Sequence, residues 1–283
     1  MGSGHMTEQI QEQYESKLLE NKIAVIFGAG GAIGGQIARE FAKEGATVFL
    51  SGRHLSTVER VVKDISTSQE KAQSPQAAEV DALNESAVNV YLDDVVKQAG
   101  KVDILFNAIG PQPIEFDNGK STMELSYEKF LLPLNTYVAS NFLTARASAR
   151  HMLRRRTGVI LFITATPSRG TAAYVTAIGS AMGALESMMR CLAAEWSPSG
   201  VRVVGIRSSG MLDTRTIHQT FEKMGRTIGV TKEQFTEQIK QSTLLKRMPV
   251  VDDTAKIAAF LASDRANTLT GAIINATCGQ ILD

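Results

Sequence analysis

Cysteine is nearly absent from this chain: Cys191 and Cys278 are the two in 283 residues, with no Cys-x-x-Cys or paired Cys/His spacing. That excludes a disulfide framework and the usual zinc pattern, and a reducing, cytoplasmic setting is expected. An excess of either charge is missing as well. Thirty basic against 29 acidic side chains leave a net charge of +1, so no strong field attracts nucleic acid or an anionic membrane. No apolar run approaches the ~20 residues of a membrane span, and no signal peptide is visible. The expected partner is a small molecule, with no nucleic acid, no membrane and no metal.

Residues 1–20 read as an expression tag and a polar leader, so His5 belongs to no site. The remainder, 21–283, is 43% hydrophobic over the whole chain, enough for one substantial core in a single domain. Short buried strands are expected at 23–27, 47–50, 77–80, 104–106, 159–163 and 201–206, with a last one near 272–275. Helical apolar spacing falls between them at 36–43, 55–65, 86–98, 126–155 (broken near Pro133), 176–196 and 252–261. Such alternation specifies an α/β fold: one Rossmann-type, doubly wound parallel sheet with right-handed crossovers. A polar, helix-periodic stretch after the sixth strand, within about 211–248, reads as a helical lid.

The first strand runs directly into Gly28-Ala29-Gly30-Gly31-Ala32-Ile33-Gly34. A glycine turn that opens a helix lets backbone amides approach a pyrophosphate. The second strand ends in Ser51-Gly52-Arg53-His54, which offers no carboxylate to an adenosine 2′-hydroxyl. Arg53 could instead face a 2′-phosphate, or be a solvated helix-entry residue. Val80-Asp81-Ala82 follows the third strand, Asn107-Ala108-Ile109-Gly110 the fourth, and Ser209-Gly210-Met211-Leu212-Asp213-Thr214 the sixth. Asp81 and Thr214 could equally be helix caps.

Taken in order, these segments resemble the short-chain dehydrogenase/reductase family from about Asn21 to the C-terminus. The resemblance implies cofactor contacts from Gly28, Gly31, Ile33, Gly34, Ser51, Gly52, Arg53, Asp81, Ala82, Asn107, Ala108, Ile109 and Thr214. By the same resemblance, Gly52-Arg53 implies NADP(H). A homodimer or homotetramer is also implied, with 137–154 and 177–196 as the interface helices.

The catalytic slot departs from the family. In relatives a Tyr-x-x-x-Lys pair protonates the substrate oxygen, and a serine ends the preceding strand. Counting from the matched run Gly158–Ala165 and from Leu192–Val203 puts Ala165, Ile178 and Met182 at the Ser, Tyr and Lys positions. The family asparagine falls near 135–141, where spacing does not decide between Asn135, Tyr137 and their neighbours. Substitute groups are Tyr174, one helical turn before Ile178; Thr164 and Thr166, able to hydrogen-bond an oxygen but too weakly acidic alone; Arg169, in a covering loop; and Arg207, at a strand end beside the ligand crevice. Each has a plainer alternative: packing for Tyr174, a solvated loop side chain for Arg169, a salt bridge with a nearby acid for Arg207. Glu186, mid-helix, is a further acid.

Two enzyme readings follow. One is an NADP(H)-dependent reductase of an imine, iminium or activated C=C or C=O, which needs less proton assistance than a plain ketone. The other is a non-redox cyclase, isomerase or lyase on the same fold. A catalytically silent NADP(H)-binding protein is a third.

Overall fold

The computed structural model describes residues 17–68 and 75–282, so most of the expected leader lies outside the described residues. β1 (Ile23–Phe27) is buried at all five positions. A continuous apolar run is what a strand covered on both faces requires. Ala24 and Ile26 enter one core layer, Val25 and Phe27 the other, following the two-residue alternation of a strand.

β2 (Thr47–Gly52), β3 (Gln76–Glu79), β4 (Ile104–Asn107), β5 (Gly158–Ala165), β6 (Val201–Ser208) and β7 (Ile273–Ala276) complete a seven-stranded sheet in the order β3-β2-β1-β4-β5-β6-β7. Every pairing is parallel. Helices α1 (Ala32–Lys43), α2 (Leu55–Ser68), α3 (Glu85–Ala99), α4 (Tyr127–Pro133), α5 (Ala139–Arg155) and α6 (Thr176–Trp196) form the crossovers. The strand order reverses between β1 and β4, which opens a crevice at the carboxyl ends of those strands. Beyond β6 the lid is two helices, α7 (Arg215–Ile228) and α8 (Lys232–Ser242), before α9 (Val251–Ala262) returns to the sheet. Phe221 of α7 meets Phe235 of α8 edge to face at 5.1 Å, with Met248 beside them, so the lid has its own small core.

One expectation changes and one is made specific. β3 is an edge strand with Gln76 and Glu79 exposed, not a buried one, because among the described residues β2 is its only neighbour. The helix expected over 126–155 is broken near Pro133 as expected, into α4, a π-helical turn at Leu134–Val138, and α5. Pro133 cannot donate an amide hydrogen bond, and the wider turn restarts the helix beyond it. That turn matters below, because it carries Tyr137.

Candidate functional site

The glycine turn is built for close approach. Gly28 sits at φ +77°, and a Cβ there would stand 2.8 Å from the carbonyl oxygen of Ala108. Its amide and that of Ala29 both donate to the Ser51 carbonyl oxygen, at 2.8 and 3.0 Å, which ties the turn to β2. A Cβ on Gly34 would collide with the Gly28 carbonyl group. Gly31 is the N-cap of α1 and offers no side chain to the first amides of the helix. Gly31 and Ala32 are exposed, and Ile33 is half-buried. This leaves a helix N-terminus open to an anion. The residues present therefore fit a dinucleotide pyrophosphate.

At the β2 end, Gly52 is buried and Arg53 is exposed without an ion pair among the described residues. Ser51 Oγ is buried beside the Tyr91 phenol and makes no well-formed hydrogen bond among the described residues. Burial pushes the Tyr91 pKa up, and the Ser51 hydroxyl only partly offsets it. Asp81 is exposed, and its carboxylate accepts from the Leu83 amide at 3.0 Å in a tight turn, while Ala82 is buried. The helix-cap alternative for Asp81 does not hold, because Asn84 caps α3 by accepting from the Ala87 amide.

Asn107 is buried and braces the end of β4. Its amide nitrogen donates to Thr144 Oγ1 at 3.0 Å, and its oxygen accepts from the Ile109 amide at 2.8 Å. Ala108 in turn donates to the Phe27 carbonyl at 2.9 Å. Thr214 is the N-cap of α7, accepting from the Ile217 amide and donating to the Met211 carbonyl. Its hydroxyl is thus already engaged by the lid.

Ala165, Ile178 and Met182 share one apolar cluster with Phe116, Val175 and Ala177. Leu125, Phe130, Leu132, Tyr137 and, from the lid, Met224 pack on it. Ile178 and Met182 are 9% and 3% exposed, so this slot is a packed apolar wall.

Arg207 is committed elsewhere. Only 2% exposed, it pairs with Glu186 through Nη2 to Oε2 at 2.7 Å and Nε to Oε1 at 2.9 Å. Nη1 donates to Asn275 Oδ1 at 2.6 Å, and Nε also reaches Ser168 Oγ. Thr164 and Ser168 both donate to Glu186 Oε1, at 2.9 and 2.5 Å. The salt-bridge alternative for Arg207 is what the structure contains, and the Thr164 hydroxyl is consumed with it. The network fastens the turn Thr166–Ser168 to β6 and α6. Arg169, just beyond, is exposed without an ion pair among the described residues. Thr166 is half-buried, and its carbonyl accepts the amides of Arg169 and Gly170.

Tyr174 adopts φ +65°, and its carbonyl accepts the Gly119 amide at 2.9 Å. Its ring lines a cavity of about 530 Å³ with Asp117, Lys120, Ser121, Glu124, Lys223 and Thr227. The cavity lies between the loop after β4 and the lid helix α7, which are latched by Lys223 to Asp117 at 3.3 Å and by Thr227 to the Gly119 carbonyl. Phe116, Val175 and Met224, which adjoin these lining residues in sequence, belong to the apolar cluster, so polar space and apolar wall are neighbours.

The side chain that spacing alone did not single out is Tyr137. The π-helical turn presents it to the end of β4, where a Cβ on Gly110 would collide with the ring and stand 2.6 Å from the phenol oxygen. The absence of a side chain at 110 was the available signal. Burial pushes the Tyr137 pKa up to about 12, with the Glu115 carboxylate adding to it. A second groove, about 440 Å³, runs along Leu134, Val138, Phe142, Ala184 and Met188 on the outer faces of α5 and α6.

Comparison with known proteins agrees with this architecture. The family profile described as enoyl-(acyl carrier protein) reductase matches residues 28–280. The 7α-hydroxysteroid dehydrogenase of Escherichia coli K12 is 29% identical over 93% of this chain and 95% of its own. The peroxisomal 2,4-dienoyl-CoA reductase of Pongo abelii is 28% identical over 94% of this chain and 85% of its own. A solved 7α-hydroxysteroid dehydrogenase complexed with NADH and 7-oxo glycochenodeoxycholic acid superimposes with TM-score 0.79 at 26% identity, covering 95% of this chain and 99% of that one. The chain belongs to the short-chain dehydrogenase/reductase family, oxidoreductases of small organic molecules that use NAD(P)(H). Among the described residues, no helix is long and apolar enough to cross a membrane.

Proposed function

We propose that this chain is an NADP(H)-dependent reductase of activated double bonds, a C=C conjugated to a carbonyl or a C=N. The observation that carries the reading is the intact glycine cradle beside a slot where Ala165, Ile178 and Met182 form an apolar wall. Reducing a plain ketone builds an alkoxide, which a positioned acid must protonate as charge develops. An iminium is neutralised by the incoming hydride, and a conjugated C=C spreads the new charge over an enolate, so both need less help. The names of the family profile and of the 2,4-dienoyl-CoA reductases are in keeping with C=C chemistry.

When bound, NADPH supplies a hydride. The chain's own residues hold and exclude. The turn at Gly28–Gly34 and the start of α1 take the pyrophosphate, Arg53 faces the 2′-phosphate, and Asn107 keeps the β4 end in place. Phe116, Ile178 and Met182 exclude water from the reacting carbon. Glu186 and Arg207 act at one remove, by fixing the Thr166–Ser168 turn, while Arg169 and Tyr174 stand at the rim.

Arg53→Ala is expected to weaken NADPH binding about tenfold or more, the loss of one charge-assisted contact, and to leave NADH binding unchanged. Fluorescence titration of both cofactors checks this, and equal losses for both would assign Arg53 no part in selection. The reading itself is tested by following NADPH absorbance with cyclic enones, enoyl thioesters, cyclic imines and saturated ketones. Turnover confined to saturated ketones would sink it. The apolar groove at Leu134, Val138, Phe142 and Met188 is where we place the contact of a homodimer, and a monomer by light scattering would remove that assignment.

A further inference from the structure

We infer that Tyr137 is the hydrogen-bond and proton donor of this site, aimed at the oxygen of a conjugated carbonyl substrate; this rests on the reductase reading above. The first ground is position. Tyr137 packs on the cluster that holds Ala165, Ile178 and Met182, so its phenol borders the wall left by the missing tyrosine and lysine. The second is aim. The π-helical turn at Leu134–Val138 brings the phenol oxygen against the backbone of Gly110, at the carboxyl end of β4, and any side chain at 110 would displace it. Strand ends of this kind border the ligand crevice.

The third ground is a free hydroxyl. The Tyr137 phenol takes no hydrogen-bond partner among the described residues, and its side chain is half-buried on the apolar cluster. Its oxygen is not among the buried polar atoms left without a partner, so it is open to a ligand oxygen. Burial and the Glu115 carboxylate keep it protonated at neutral pH, in the state that donates. Three other hydroxyls are spent: Thr164 and Ser168 serve Glu186, and Thr214 serves the lid.

The step balances with the hydride that NADPH gives up in leaving as NADP⁺. A C–H bond forms at the β-carbon, and the C=C electron pair moves through the α-carbon onto the carbonyl oxygen as an enolate. Tyr137 Oη then gives its proton to that oxygen: one O–H bond breaks on the phenol and one forms on the substrate. Solvent water reprotonates the phenolate, and the enol tautomerises to the saturated carbonyl. This assigns the substrate class as α,β-unsaturated carbonyls, with an apolar body on the Phe116–Met182 wall and room for a polar group in the cavity at Asp117, Lys120 and Lys223.

The test uses the full chain, Tyr137→Phe and a form carrying 3-fluorotyrosine at 137, each with and without NADP⁺. The probe is 4-nitrophenolate, an oxyanion whose absorbance moves when it accepts a hydrogen bond, so the readout does not depend on turnover. Removing one donor to an oxyanion is expected to lower enone turnover by about 10²–10³-fold. It should also weaken 4-nitrophenolate binding at least about tenfold and abolish its absorbance shift, with NADPH affinity unchanged. The fluorinated form, nearly isosteric and more acidic, should fold as wild type and enlarge the shift. Failure of wild type to bind the probe, or equal binding and shift in wild type and Tyr137→Phe, would overturn the role of Tyr137. Probe binding that depends on Tyr137 without NADPH oxidation by any enone would keep the oxyanion site and overturn the reductase reading instead.

Discussion

Arg207→Met alone is expected to destabilise the fold by about 3–5 kcal/mol, the range for stripping one partner from a buried ion pair. In a chain of this size the melting temperature then falls by roughly 10 °C. Most of the loss comes from Glu186, left charged at 4% exposure with only Thr164 and Ser168 as donors. Replacing both partners, Glu186→Leu with Arg207→Met, should recover most of it, because an apolar pair leaves no charge to desolvate. Melts of the two single variants and the double variant give the coupling, and simple additivity would contradict a pair.

The same network fixes a pH dependence. Burial pushes the Glu186 carboxyl up, but hydrogen bonds from Arg207, Ser168 and Thr164 and the Arg207 charge outweigh it, so its pKa lies below the ordinary value. Asp103 follows the same rule: burial is outweighed by Lys101, the Ile23 amide and Arg155. A carboxyl with a depressed folded pKa contributes stability above its unfolded value, about 4 for these groups, and that contribution is lost as pH falls through the folded pKa. Wild type should therefore lose stability on acidification below about pH 4. Arg207→Met should lose less, because its Glu186 no longer has that depression.

Gly34→Val is expected to remove dinucleotide binding. A Cβ there meets the Gly28 backbone, with the carbonyl carbon at 2.8 Å, and no flexible side chain can yield. Gly28→Ala is milder. Its φ of +77° and the Ala108 carbonyl oxygen at 2.8 Å impose strain of about 1–3 kcal/mol, or roughly a ten- to hundredfold rise in the NADPH Kd. Gly100 provides the control, since φ is +76° but a Cβ would meet nothing within 4 Å. Gly100→Ala should cost stability and leave NADPH affinity untouched.

How far the fold could be read without coordinates depended on what each segment's neighbours do. Ile23–Phe27 is apolar throughout and Val201–Ile206 is apolar apart from Arg202, and strands covered on both faces leave that trace. The strand at Gln76–Glu79 was read at 77–80 but as a buried one, because its sequence does not mark the edge position that relaxes the demand. Gly28–Gly34 was legible because backbone approach forbids side chains. The Arg207–Glu186 pair was not, since 21 residues separate the partners and the pairing depends on β6 lying beside α6. Tyr137 stayed ambiguous for a related reason. Pro133 inserts a π-helical turn, and a shift in helical phase defeats counting along the chain.

The proposed reaction is hydride delivery to an activated double bond from a cradle that lacks the family's acid. NADPH deuterated at C4, incubated with the enone, enoyl thioester, imine and ketone panel, tests it most directly through the mass and labelling position of the product. One deuterium is expected on the carbon β to the carbonyl or on the former imine carbon. An unlabelled product isomeric with its substrate, or deuterium solely on the carbinol carbon of a reduced saturated ketone, would contradict it.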